Sequence, residues 1–261
     1  MIRPFRRPLL LALLPLLLVV SAGGAQVMDA IDLIDTPTAT AMPHAAYDTG
    51  LRLYSGGGVL FRLRVGLRDA VHFGFSFGGT NLLGTGDPDW NPRVEFIFRG
   101  LLIRESYAGP AVALGYDSQG YGFWDSENGR YQVKSRGFYA VASKHFVFLG
   151  DLGLHGGVNY SLEREDDDEE VNFFFGLEKS IHPSLDLLLE YDAAVNDNAD
   201  NGVFGEGKGY LNAALLWRVS DALALEADFR NLLENGESFD DFEWNPGEWS
   251  RELKIVYTDY F

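Results

Sequence analysis

The feature that most constrains this chain is an alternation of period two that recurs from about residue 59 to the end. Val59, Phe61, Leu63, Val65 and Leu67 fall on one face of an extended segment, with Arg62, Arg64 and Gly66 on the other. Phe73, Phe75 and Phe77 alternate with Gly74, Ser76 and Gly78, and Val94, Phe96 and Phe98 with Arg93, Glu95, Ile97 and Arg99. Leu152 to Leu162, Val171 to Leu177, Leu185 to Tyr191 and Leu211 to Val219 repeat the rule. Leu225, Ala227 and Phe229 face away from Glu226, Asp228 and Arg230, and Leu253, Ile255 and Tyr257 close the series. Segments near 109–117 and 135–147 alternate poorly and are assigned to strands by spacing. Beyond the first twenty-five residues no run approaches the ~18 apolar residues of a helical span.

Alternation also suits a soluble sandwich, so the connections have to choose the solvent. Short turns are expected near 68–70, 104–108, 149–151, 180–184 and 220–222. Long polar loops are expected near 80–92, 118–134, 163–170, 196–208 and 233–249. Short turns at one end and long loops at the other are the asymmetry of an outer-membrane barrel. The first hairpin, through Ser55 to Gly58, is then a tight turn on the long-loop side. The fold class this implies is all-β: a closed antiparallel transmembrane β-barrel of about 12 strands, with both termini at the short-turn end. Phe75 and Leu187 should face lipid, and Arg62 and Glu190 the lumen. Trp217, Tyr160, Tyr191 and Tyr257 near strand ends suit the headgroup level. The terminal Phe261, with alternate apolar residues upstream, is similar to the signal read by barrel-assembly machinery, although Asp259 interrupts it.

Residues 1–25 read as a cleaved signal peptide. Arg3, Arg6 and Arg7 precede an apolar run from Leu9 to Val20, and small residues lead to Ala25. An uncleaved anchor is the alternative, but about twelve apolar residues are short for a span. Residues 26–46 are expected to form an extended N-terminal segment and 47–261 the barrel. Without cysteine there is no disulfide and no lipoprotein anchor at the cleavage site. The net charge of −17 makes nucleic acid an unsuitable partner. Outer-membrane lipid and lipopolysaccharide are the partners the barrel itself implies.

The lumen-facing candidates are Arg62, Arg64, Arg93, Glu95, Arg99, Glu190, Arg218 and Glu226. In an open pore such groups set selectivity, and in a closed one they pair. Twelve strands leave room for either. The run Glu163 to Glu170 holds seven acids around Arg164. Asp166, Asp167 and Asp168 are weak candidates for a divalent cation, the competing reading being a mobile solvated loop tip. Asn196 to Gly202 lacks the third-position oxygen ligand and twelfth-position glutamate of a calcium loop. His182 and Ser184 have the histidine-x-serine spacing of some outer-leaflet lipid hydrolases, but they fall in a short turn. No cofactor fingerprint appears, and the chain is read as non-enzymatic.

The run Ile34-Asp35-Thr36-Pro37-Thr38-Ala39-Thr40-Ala41-Met42-Pro43, the strand Arg62-Leu63-Arg64-Val65-Gly66-Leu67 and the segment Gly115 to Gly122 resemble the YjbH-like family of exopolysaccharide-associated outer-membrane proteins. That resemblance implies a role in exopolysaccharide export or envelope organisation, with export components as partners. Members are often longer and lipid-anchored, unlike this chain. On physical grounds alone, Pro37 and Pro43 fix φ and disfavour helix, which suits an extended plug or a turn. Two other functions stand beside the first: a small passive porin-like channel, and a lipid-modifying enzyme.

Overall fold

Alternation becomes strand throughout the computed structural model, which describes residues 30–198, 204–236 and 247–261. The leader expected over 1–25 lies outside them. The strands are β1 (Ala46–Tyr54), β2 (Gly58–Leu67), β3 (Val71–Thr80), β4 (Asp89–Trp90), β5 (Glu95–Ile103), β6 (Ala111–Asp117), β7 (Tyr121–Asp125) and β8 (Arg130–Val133). They continue as β9 (Gly137–Val147), β10 (Asp151–Tyr160), β11 (Asn172–His182), β12 (Leu185–Asp192), β13 (Tyr210–Arg218), β14 (Leu223–Arg230) and β15 (Ser250–Tyr260). Twelve of these pair antiparallel in sequence order, and β1 pairs with β15 to close the ring. The two-residue β4 lies against β3, while β7 and β8 form a separate hairpin inside the long connection from β6 to β9.

Local geometry explains the tight ends. Arg68 and Asp69 both adopt positive φ between β2 and β3, as do Gly56 and Gly57 between β1 and β2. Two successive left-handed residues match the right-handed twist of the strands they join. Closure is completed at the short-turn end, where the Phe261 amide donates to the Ala45 carbonyl at 3.0 Å. The Phe261 ring packs 5.0 Å from that of Tyr47.

The faces are inverted relative to a soluble protein. On β5, Phe96 and Phe98 are 62% and 51% exposed, while Glu95, Ile97 and Arg99 between and beside them are buried. Phe61, Phe73, Phe75, Phe175, Leu215 and Trp217 stand outward in the same way. Exposed apolar surface on this scale is rare on a soluble monomer and is what a hydrocarbon solvent requires. The sandwich alternative therefore falls.

The N-terminal segment does not run extended along the outside. It enters the lumen and doubles back: Leu33 N donates to Thr36 O at 2.9 Å and Thr38 N to Ile31 O at 3.1 Å. This segment contributes to each apolar cluster inside the barrel. Leu33 and Ile34 pack with Leu188, Ala214 and Leu216, and Ala39 joins Ala113, Tyr139, Val141 and Phe174. Gly176 makes the close approach possible, because a Cβ there would lie 2.0 Å from Leu33 Cδ1.

Lipid on the outer wall makes depth decisive. Phe98→Arg should destabilise folding into lipid vesicles by roughly 2–4 kcal/mol, the cost near the bilayer midplane. Tyr107→Arg, in the turn between β5 and β6, should cost less than about 1 kcal/mol. Urea titrations of the two variants in vesicles measure both, and equal costs would contradict the inverted faces.

Candidate functional site

Inward positions on four strands bring five arginines into the lumen: Arg52 on β1, Arg62 and Arg64 on β2, Arg99 on β5 and Arg230 on β14. Two aspartates of the inserted turn neutralise them. Asp32 receives Arg62 at 3.0 Å and Arg99 at 2.5 Å, and also Arg64. Asp35 receives Arg52 at 2.8 Å and also Arg230. Wall acids complete the set: Asp48 lies 2.6 Å from Arg64, and Glu252 holds both Arg52 and Arg230. A buried guanidinium without a partner would cost several kcal/mol, so the pairing is dictated by desolvation.

Glu190 organises the tip of the turn. Its Oε2 accepts the amides of Ile34, Asp35 and Thr36 at 3.1, 2.8 and 2.9 Å, and the Thr36 hydroxyl at 3.0 Å. Its Oε1 takes Asn212 at 2.7 Å. Three successive amides converging on one carboxylate form an anion nest, here with the anion on the wall and the nest on the inserted chain. Lys254 donates to the Ile34 carbonyl at 2.7 Å and pairs with Glu226 and Asp228.

A second element descends from the long-loop end. Tyr121 of β7 lies over Arg52 at 4.3 Å and over Arg230 at 5.2 Å, so those guanidiniums sit between an aromatic face and Asp35. Arg130 of β8 is fully buried and pairs with Asp166 at 2.6 Å and Asp197 at 2.7 Å. Lys134 takes the other Asp166 oxygen at 2.7 Å. The acidic run is therefore divided: Glu165, Asp167, Glu169 and Glu170 are exposed as in a solvated tip, while Glu163, Asp166 and Asp168 are buried. Asp166 and Asp168 turn inward and anchor the hairpin, and only Asp167 of the three is exposed. Their oxygens are committed to Arg130, Lys134 and the Asn198 amide, so the protein's own cations take the role suggested for a metal.

The remaining sequence candidates divide. Arg218 sits inside the short-turn end on Asp186, with Glu178 at 3.4 Å. Glu95 is buried and accepts the Tyr131 hydroxyl at 3.1 Å. Arg93 is not in the lumen: it precedes β5 at the rim, is largely exposed, and reaches Glu95 at 2.9 Å and the Trp124 ring. His182 Nδ1 faces the Ser184 hydroxyl at 2.9 Å and its amide at 3.3 Å, so the pair closes a turn. Asp197 of the calcium-like run serves Arg130 and Tyr210, and 199–203 lie outside the described residues. Sequence reasoning missed Asp32, Asp35, Arg52, Arg230, Glu252 and Lys254. The available signal was the apolar run Ala30 to Ile34 interrupted by Asp32, which asks for burial and for cationic partners at once. What stays free at the short-turn end is a cavity of about 370 Å³ lined by Asp32, Asp48, Arg62, Arg64, Arg218 and Glu226 among others.

Glu163 gives this site a pH dependence. It lies in the loop after β10 and accepts the Tyr131 and Ser135 amides at 3.1 and 3.3 Å. Burial pushes its carboxyl up to about 7, against those bonds and the Arg130 charge. The docked hairpin thus prefers neutral Glu163, and a raised folded-state value means stability falls as pH climbs from the ordinary 4.5 towards about 7. Amide protection at Tyr131, corrected for intrinsic exchange, should therefore drop between pH 5 and pH 8. Glu163→Gln should flatten that profile; an unchanged slope would assign it to another group.

No family model matches the chain, and no curated protein matches it. Among solved structures, a KdgM porin superposes with a TM-score of 0.51 at 8% identity, over 81% of this chain and 98% of that one. A KdgM porin in complex with disordered oligogalacturonate gives 0.50 at 8% identity, over 83% and 99%. These matches correct the YjbH-like expectation drawn from residues 34–43, 62–67 and 115–122, and the exopolysaccharide role and export partners lose their basis with it. Of those residues, 62–67 lie on β2 and 115–122 run from β6 into β7, while in the inserted segment the Thr36 hydroxyl donates to Glu190 and that of Thr38 to the Ile31 carbonyl. In architecture the chain is a closed twelve-stranded antiparallel barrel, similar in shape to these porins.

Proposed function

We propose that this protein is a porin-like passive channel of the bacterial outer membrane, non-enzymatic and selective for small acidic solutes, whose N-terminal segment closes the pore. One observation carries the reading. Asp32 and Asp35 occupy carboxylate sites on the arginine wall, and both belong to a segment that is not part of the barrel. Withdrawal of that segment would leave Arg52, Arg62, Arg64, Arg99 and Arg230 facing two wall carboxylates, Asp48 and Glu252. A surplus of positive charge in a low-dielectric channel focuses anions. Oligogalacturonate, held by one of the porins of similar shape, is itself a string of carboxylates.

In this reading the short turns face the periplasm and the long loops the exterior. The last strand then presents Phe261 to assembly machinery, and deleting Phe261 should lower the amount of heat-modifiable barrel in outer-membrane fractions. Normal abundance of the truncated chain would remove that role.

Planar-bilayer recording tests the channel itself. The wild-type barrel should open rarely. Asp32→Asn with Asp35→Asn should raise open probability by tenfold or more and move the reversal potential in a salt gradient towards anions. Added oligogalacturonate should then block the current. Silence of both proteins, when each is folded by heat-modifiability, would sink the channel reading, and cation preference in the variant would sink the acidic-solute part.

A further inference from the structure

Three strands meet around one glycine in the wall. Gly153 of β10 pairs with His145 of β9 on one side and with Glu178 of β11 on the other. His155 stands two residues along β10, so all four positions share the inward face. A Cβ at 153 would lie 2.8 Å from His155 Nε2 and 3.2 Å from His145 Nε2. The glycine thus keeps open the space on which both nitrogens converge. Both Nε2 atoms are buried without a hydrogen-bond partner, and His155 as a whole is 5% exposed. One ligand atom from each of His145, His155 and Glu178 lies within 4.8 Å of the other two.

The far side of each ring sets what points inward. His145 Nδ1 lies 2.7 Å from Glu105 Oε2, and a carboxylate only accepts, so the proton sits on Nδ1 and Nε2 presents a lone pair. His155 Nδ1 lies 2.8 Å from Ser143 Oγ, which also receives the Ala39 amide at 2.7 Å. A hydroxyl oxygen has lone pairs for both donors, and in the tautomer with the proton on Nδ1 His155 Nε2 is bare as well. Two buried imidazole nitrogens without a hydrogen-bond partner, converging on an unfilled space, are costly unless something occupies it.

We infer that His145, His155 and Glu178 bind a divalent transition-metal ion, zinc(II) or a close chemical relative, inside the barrel near its short-turn end. Two nitrogens and one oxygen suit zinc, cobalt or nickel and not the all-oxygen shells of calcium or magnesium. Three protein ligands leave a fourth position for water. Bonds of ~2.0–2.1 Å require ligand atoms about 3.3 Å apart, a closure that side-chain torsions can supply. Glu105 is the positioning residue that aims His145, in the carboxylate–histidine–metal arrangement. Arg218 approaches Glu178 at 3.4 Å, but its charge is matched by Asp186. A cavity of about 420 Å³ lined by Asp69, Arg104, Glu105, Ser143 and His145 connects the site to the short turns.

The test uses the barrel folded in detergent without an affinity tag, with cobalt(II) as probe. One equivalent should bind with visible d–d absorption, and zinc(II) should bleach it while calcium does not. His155→Ala and Gly153→Val should each weaken cobalt binding at least tenfold, the second by filling the space between the ligands without replacing one of them. Glu105→Gln should weaken it by roughly 10–100-fold. Each variant is first checked for heat-modifiability; should Gly153→Val fail to fold, Glu178→Gln takes its place. No cobalt binding by the wild type at micromolar concentrations would overturn the site. So would binding that His155→Ala leaves intact.

Discussion

Guanidinium groups facing a lumen cut off from bulk water must find carboxylates, and in this barrel the decisive ones arrive on a segment from outside the wall. Asp32 and Asp35 each bridge arginines from different strands: Arg62, Arg64 and Arg99 for the first, Arg52 and Arg230 for the second. The dependence is mutual. The turn that carries the aspartates has three amides in need of an acceptor, and Glu190 on the wall provides it. Remove the turn and the arginines around Asp32 and Asp35 keep only Asp48 and Glu252 as partners; remove the wall and the turn has exposed amides and unburied Leu33 and Ile34. Neither part is electrostatically complete alone.

Most of the barrel was legible because two periodicities agree. Strand period two sorts side chains into faces, and lipid outside with charge inside makes those faces chemically opposite, as at Phe96, Ile97, Phe98 and Arg99. Poorly alternating segments such as β6 and β9 were recoverable only from spacing, because small residues on both faces blur the contrast. The turn inside the lumen was not legible in the same way. Its partners are remote, Ile34 and Glu190 being 156 residues apart, and no local period records such a contact. The same kind of distance hid the pairing of Arg230 with Asp35, and of Arg52 with Glu252. The acidic run misled for a related reason: a string of like charges looks solvated unless buried Arg130 and Lys134 are known to face it.

The two insertions into the lumen differ in kind. The β7–β8 hairpin is held by Arg130, Tyr131 and Lys134 against acids of neighbouring loops, so its anchors lie outside the arginine wall. Tyr121 links it to the N-terminal turn through Arg52 and Arg230. The turn is covalently tethered at Ala46 alone among the described strands, and its fold is a single short hairpin. Under the proposed function, an element with one tether to the described strands can leave as a unit once its ion pairs, its Glu190 hydrogen bonds and the packing of Leu33 and Ile34 are released. The hairpin, anchored at both ends, cannot.

This difference fixes what an acidic solute would have to do. Under the proposed function such a solute would compete with Asp32 and Asp35 for the same guanidiniums, and so would bind only the state from which the turn has withdrawn. Binding to one state alone shifts the equilibrium by RT ln(1 + [L]/Kd), about 2.7 kcal/mol at a hundredfold excess over Kd. Moving a population from one per cent open to ninety-nine per cent needs roughly 5.5 kcal/mol. A single carboxylate solute at ordinary concentration therefore biases the gate without throwing it. A solute carrying several carboxylates engages both arginine groups at once and gains by effective concentration. The spacing of Asp32 and Asp35 along the turn, with one group of arginines for each, makes a multivalent acid the natural competitor.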